Sequence, residues 1–283
     1  MMLDGLFARK LLMVTGKGGT GKTLLSASLG QIAASLGKKV LVVECHRDSQ
    51  LRPLLGGENK VDEAVQAEKN LHWINLVPKN GLQHYVVGRL KKAGTWNKFF
   101  KHSKITAFFE AMPGLTEVMI LGRLFHDVML IDQWDLVIFD GPASGHYASM
   151  LETPAAILGA GILGPLASEV KRVKDFLEDS ELCEGLYVTL PEPLVISECA
   201  EFVPKLELPK KHHVILNRSL YSDKDFVSDS IPVQEWLNKR DELTSQAMKD
   251  LEGFGSFFQI LDLGAVSGAL SLKESKQLWG YCD

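Results

Sequence analysis

The stretch Leu11-Leu-Met-Val-Thr-Gly-Lys-Gly-Gly-Thr-Gly-Lys-Thr23 decides how the chain is read. Residues 11–14 form an unbroken apolar run and predict a buried strand. Gly16, Lys17, Gly18, Gly19, Thr20, Gly21, Lys22 and Thr23 then spell G-x-x-x-x-G-K-T, and residues 24–36 have helical spacing. Strand, glycine loop and helix, in that order, is the setting in which this pattern cradles phosphates. The glycines let the backbone curl so that successive N–H groups point inward at an anion. A helix beginning near Lys22 adds its positive end. Lys22 brings a full charge to the outer phosphates, and the Thr23 hydroxyl can ligate Mg2+.

Working outward, residues 40–44 and 135–140 are two more apolar runs, ending in Glu44 and Asp140. Further strands are expected over 72–78, 185–191, 212–218 and 257–263, and helices over 150–158 and 166–177. Another helix opens within 192–198, where Ser197 is a fair helix-start residue, and residues 223–250 read as a charged, exposed helix. Apolar runs alternating with helices predict an α/β fold: a mainly parallel sheet flanked by helices. In such sheets ligands sit at the carboxyl ends of strands, where Glu44 and Asp140 lie. An apolar strand ending in Asp is also what holds Mg2+ beside a phosphate loop.

One domain is expected over 1–283, with a helical subdomain inserted within 52–132. Its helices are predicted over 62–69, 82–93, 97–111 and 116–130. Phe99, Phe100, Phe108, Phe109, Met112 and Met119 give it an aromatic, Met-bearing surface beside several lysines. That surface is either the subdomain's own core with a solvated rim or a groove for an apolar partner helix. The basic stretch 96–104 is short for a membrane or nucleic-acid surface.

The formal net charge is −4, which points away from nucleic acid. The cysteines Cys45, Cys183, Cys199 and Cys282 are scattered, without the paired spacing of a zinc site. Free cysteines, the short charged start of the chain and the lack of an apolar run of roughly 20 residues lead to a soluble cytoplasmic expectation without a transmembrane segment. His212 and His213 alternate along a strand and are expected on the surface. The weakly basic tail 270–283 also carries acids, which argues against a membrane-binding helix.

A lysine directly after the first glycine, G-K-G-G-T-G-K-T, resembles the deviant P-loop ATPases. These include the arsenite-pump ATPase ArsA, the tail-anchored-protein targeting ATPase and the Min and Par ATPases. Asp140-Gly-Pro-Ala-Ser-Gly-His146 is similar to that family's switch segment D-T-A-P-T-G-H, and Asn217 ends a strand in the family's V-x-N manner. The resemblance implies ATP and Mg2+ as cofactors, with Thr23, Glu44 and Asp140 at the metal. It implies that Lys17 reaches across a homodimer or a heterodimer with a homologous ATPase, that Gly145 approaches the γ-phosphate, and that Asn217 reads the adenine edge.

It further implies a dimeric switch that couples ATP to binding or release of a hydrophobic or membrane-associated partner. The family's water-orienting Asp would fall at His46, so His46 or the nearby Asp48 must serve hydrolysis. Otherwise the chain is a catalytically weak ATP-binding scaffold that pairs with a competent homologue. The paired cysteines of the eukaryotic targeting ATPases are absent from this sequence.

Overall fold

The computed structural model describes residues 2–58, 60, 62–76, 115–131, 133–161, 164–219, 230–252, 257–261 and 269–279. In chain order the first elements are α1 (Met2–Phe7), β1 (Leu11–Gly16), α2 (Lys22–Ser35), β2 (Val40–Glu44), α3 (Arg52–Leu55), β3 (Val65–Glu68) and β4 (Leu71–Asn75). Next come α4 (Leu115–Phe125), running into a π turn (His126–Leu130), then β5 (Leu136–Ala143), α5 (Ser144–Gly159) and α6 (Pro165–Glu178). The last are β6 (Cys183–Thr189), α7 (Pro193–Phe202), β7 (His212–Ser219), α8 (Ile231–Leu251), β8 (Phe257–Leu261) and α9 (Leu272–Leu278).

The eight strands make one sheet in the order β3-β4-β2-β5-β1-β6-β7-β8. All neighbours run parallel except β3, which pairs antiparallel with β4 at the edge. The α/β expectation holds. The strands read as continuous apolar runs because both faces are covered. Leu12, Val14, Val42, Ile138 and Val188 join a core on the side of α2. Leu11, Met13, Val43, Val137 and Phe139 join a second core with α4, α5 and α6. Alternate residues of one strand therefore enter different cores.

α2 is buried from Leu25 to Ala34. Its small residues let it sit deep: a Cβ on Gly30 would come within 2.7 Å of Val42 Cγ2. Its outer side is closed by α9. Trp279 Nε1 donates to Ser28 Oγ at 2.8 Å and Ser275 Oγ donates to Gln31 Oε1 at 2.6 Å. The described part of the tail is thus a core-packing helix.

Some expectations are corrected. The helix expected over 62–69 is instead the strand β3, where Val65 and Ala67 alternate with exposed Gln66 and Glu68. Over four residues a two-residue and a helical period cannot be told apart. The strand expected over 72–78 is Leu71–Asn75. Ser197 lies inside α7, which starts at Pro193. His213 is buried rather than on the surface, and His212 is partly buried. Of the inserted helices, 116–130 is seen as α4 and its π turn, while 82–93 and 97–111 lie outside the described residues. No helix among the described residues is long and apolar enough to cross a membrane.

Candidate functional site

The glycine loop leaves β1 where Gly16 faces β6. Gly16, Gly19 and Gly21 have φ of 145°, 80° and 92°, the left-handed range that disfavours side chains. Lys22 Nζ donates to the carbonyls of Gly16 (3.2 Å) and Lys17 (3.0 Å), so the ammonium sits at the mouth of its own loop. Burial lowers its pKa, and the charge of Asp140 partly offsets this. Thr20 Oγ1 closes the loop on the Lys17 carbonyl at 2.9 Å.

Register brings the carboxylates together. Glu44 and Asp140 are direct partners across β2 and β5, and Val14 pairs with Asp140 from β1. Thr23 Oγ1 donates to Asp140 Oδ2 at 2.6 Å and Ser26 Oγ to Oδ1 at 3.3 Å. This ties the first turn of α2 to the end of β5. Glu44, fully buried, accepts from the Ser49 hydroxyl and from the amides of Gln50 (2.9 Å) and Leu51 (3.1 Å). It therefore folds the loop after β2 back onto the sheet.

His46 lies in that loop. Its N–H donates to Asn75 Oδ1 (3.1 Å) and its carbonyl accepts from Asn75 Nδ2 (2.9 Å), so one buried amide holds both sides of the peptide. Donor atoms of Glu44, His46 and Asp140 all lie within 4.8 Å of one another. Asp48 is exposed on the loop.

These residues fit a divalent cation. The Thr23 hydroxyl donates its hydrogen bond to Asp140, which leaves its oxygen lone pairs available. Two buried carboxylates side by side favour a cation between them. Burial pushes the Asp140 carboxyl up foremost; Thr23, His46 and Lys22 oppose this, and Glu44 adds to it.

Asn217 lies under the loop. Its Nδ2 donates to the Thr20 carbonyl at 2.7 Å, and its Oδ1 accepts from the Arg218 amide at 2.9 Å. A Cβ on Gly21 would come within 2.4 Å of that Nδ2. Gly21→Ala is therefore expected to break the Asn217–Thr20 bond and cost about 1–3 kcal/mol. Scanning calorimetry should show a Tm lower by roughly 3–8 °C.

Lys17 turns outward and pairs with Glu198 of α7 at 2.6 Å, both half-exposed. Gly145 is the second residue of α5, exposed, and His146 follows it. A cavity of about 180 Å3 lies beside the carboxylates, lined by Cys45, His46, Asp140, His146, Glu117 and Met150 among others. The loop after β2 and the β5–α5 junction thus meet α4 there.

The structure brings Thr23, Glu44, His46 and Asp140 together and sets Asp48 aside. Sequence reading missed Ser26, Ser49, Asn75 and Glu198. Asn75 carried one signal: a lone amide inside the apolar run 73–77.

Residues 9–161 match the family model described as anion-transporting ATPase. ATPase BagA of Mycobacterium tuberculosis is 27% identical over 226 residues, 75% of this chain and 65% of that relative. An arsenical pump-driving ATPase of Escherichia coli is 24% identical, over 92% of this chain and 48% of its own length. An ATPase ASNA1 homolog of Entamoeba dispar is 25% identical, over 80% and 78%. The chain thus spans 65% of the mycobacterial relative's length and about half of the Escherichia coli one. With the matched segment running from just before β1 through α5, and so containing the glycine loop and both carboxylates, the chain belongs to the anion-transporting ATPase family.

Proposed function

We propose that this chain is a dimeric ATPase switch that couples Mg·ATP to binding or release of a hydrophobic or membrane-associated protein partner in the cytoplasm. The observation that carries the reading is the Thr23–Asp140 bond, which ties the phosphate loop to the strand-end carboxylate with Lys22 at the loop mouth. Loop amides and Lys22 bind the phosphates, and Asn217 stands close enough to the loop to meet the base. Thr23, Glu44 and Asp140 would hold Mg2+, which supplies charge neutralisation between the phosphates. Lys17, half-exposed and paired with the half-exposed Glu198 carboxylate, can exchange that partner for a second subunit's nucleotide.

Switching follows from the shared cavity. The loop after β2 and the β5–α5 junction both face Glu117 and Ile120 of α4, so a shift in either bears on the helical region. The chemistry of the partner rests on the aromatic and Met-bearing sequence 99–120. No nucleic acid enters this reading.

A second reading, a weakly hydrolysing scaffold paired with a competent homologue, is favoured by His46 standing where a water-orienting carboxylate is expected, with Asp48 exposed. Binding of a fluorescent ATP analogue with Mg2+ tests the common ground: Lys22→Ala is expected to weaken it about 100-fold. No binding by the parent protein at millimolar concentration would sink both readings. Phosphate release separates them, because at least a tenfold rise in His46→Asp favours the scaffold.

A further inference from the structure

We propose that Glu44, His46 and Asp140 form a mixed nitrogen-and-oxygen site that takes a first-row transition ion, Co2+ or Zn2+, in preference to Mg2+, and takes it without nucleotide. The donor set carries the argument. Two carboxylates and an imidazole from three chain positions place donor atoms within 4.8 Å of one another, and both carboxylates are buried. Mg2+ is hard, keeps its waters and gains little from an imidazole nitrogen. Ions later in the first row bind imidazole well, so the histidine is the donor that sets this cluster apart from an all-oxygen site.

The surrounding contacts orient each donor. Glu44 is held by Ser49 and the amides of Gln50 and Leu51. Asp140 is held by Thr23 and Ser26. His46 has its peptide fixed on both sides by Asn75, which leaves the ring to rotate about its own side-chain bonds alone. Hydrogen-bonded supports of this kind are what a built metal site has and a chance cluster lacks. Donors at about 2.1 Å from an ion lie roughly 3–3.5 Å apart, so a pair at the 4.8 Å limit closes by about 1.3–1.8 Å, a shift that rotation of the His46 ring can supply for the pairs it belongs to. The 180 Å3 cavity that His46 and Asp140 share gives water access to the remaining coordination positions. Cys45 and His146 also line it.

The test uses the full-length, tag-free protein without nucleotide, so its outcome is separate from that of ATP binding. Calorimetric titration with Co2+, Zn2+ and Mg2+ is expected to show Co2+ and Zn2+ bound at least tenfold more tightly than Mg2+. The cobalt protein should show visible ligand-field bands. His46→Asn is expected to lose those bands and at least tenfold in Co2+ affinity while Mg2+ affinity stays within about threefold. His46→Asp, an all-oxygen set, should lower the Co2+ to Mg2+ preference at least tenfold. It serves as the second variant if the asparagine protein fails to fold. Equal affinities for Co2+ and Mg2+ in the parent protein overturn the proposal. So does a His46→Asn protein with unchanged bands, or bands lost on His146→Asn and kept on His46→Asn.

Discussion

Asp140→Asn is expected to raise the melting temperature of the ligand-free protein while cutting ATP turnover at least about 100-fold. Asp140 is 2% exposed and sits beside the fully buried Glu44 in register across β2 and β5. Its pKa is raised because burial outweighs the help of the Thr23 hydrogen bond and the charges of His46 and Lys22. A carboxyl whose folded pKa lies above its unfolded one is destabilising once it ionises, so its cost is present above the folded pKa. The cost fades as pH falls through the folded pKa towards 3.8. Asparagine keeps the size, still accepts from Thr23, and can donate to Ser26 Oγ. The gain should be about 1 kcal/mol, a Tm rise of roughly 2–4 °C at pH 7.5 that disappears near pH 4. On the proposed Mg2+ reading function moves the other way, because the ion would lose a buried anionic oxygen. Calorimetry at both pH values and steady-state phosphate release check this. A lower Tm at pH 7.5, or turnover within threefold of the parent, would refute it.

The largest stability loss is expected at the other end of the sheet. Glu184, on β6 and 1% exposed, accepts from Arg9 Nε (2.9 Å), pairs with Lys211 Nζ (2.7 Å) and meets His213 Nε2 (3.2 Å). Burial alone would push this carboxyl up; hydrogen bonds from His213, Lys211 and Arg9, with the charge of His213, outweigh it and hold the pKa at about 2. Glu184→Ala leaves two cations and a histidine around an empty buried site, which costs about 3–5 kcal/mol, or of the order of 10 °C in Tm.

The same end of the sheet sets the acid limb. Glu184 contributes stability above its unfolded pKa of 4.5, lost as pH falls towards 2. His212 is driven neutral by burial and then by His213, to a pKa of about 4. Its contribution is whole above 6.5 and fades between 6.5 and 4, because the unfolded chain takes up the proton first. Tm is therefore expected to fall in two stages on acidification, each worth up to about 3 kcal/mol. Glu184→Gln should remove the lower stage and keep the upper one.

Much of this fold is written in short range. The runs at 11–14, 40–44 and 135–140 are strands in the structure because each is apolar on both faces, which no other element of four to six residues needs. The glycine loop, Lys22 and Thr23 could be read because a phosphate cradle is built from neighbours in sequence. β3 escaped because an edge strand buries only alternate residues, here Val65 and Ala67 by half. Asn75, Ser49 and the Glu184 cluster escaped for another reason. Their partners lie across the sheet, and a sequence without strand order does not say which strand lies beside which. Glu184 did leave a trace, as a lone acid inside the apolar run 183–190.

The side-chain amide of Asn75 copies, on the peptide of His46, the pair of bonds a neighbouring strand would make. It therefore acts as a rivet between the end of β4 and the loop after β2. The next residue, Leu76, still pairs its N–H with the Glu44 carbonyl at 2.8 Å, so the end of β4 is bound to the end of β2 as well as to that loop. Any displacement of Asn75 therefore carries the His46 backbone with it, next to the loop residues that Glu44 holds.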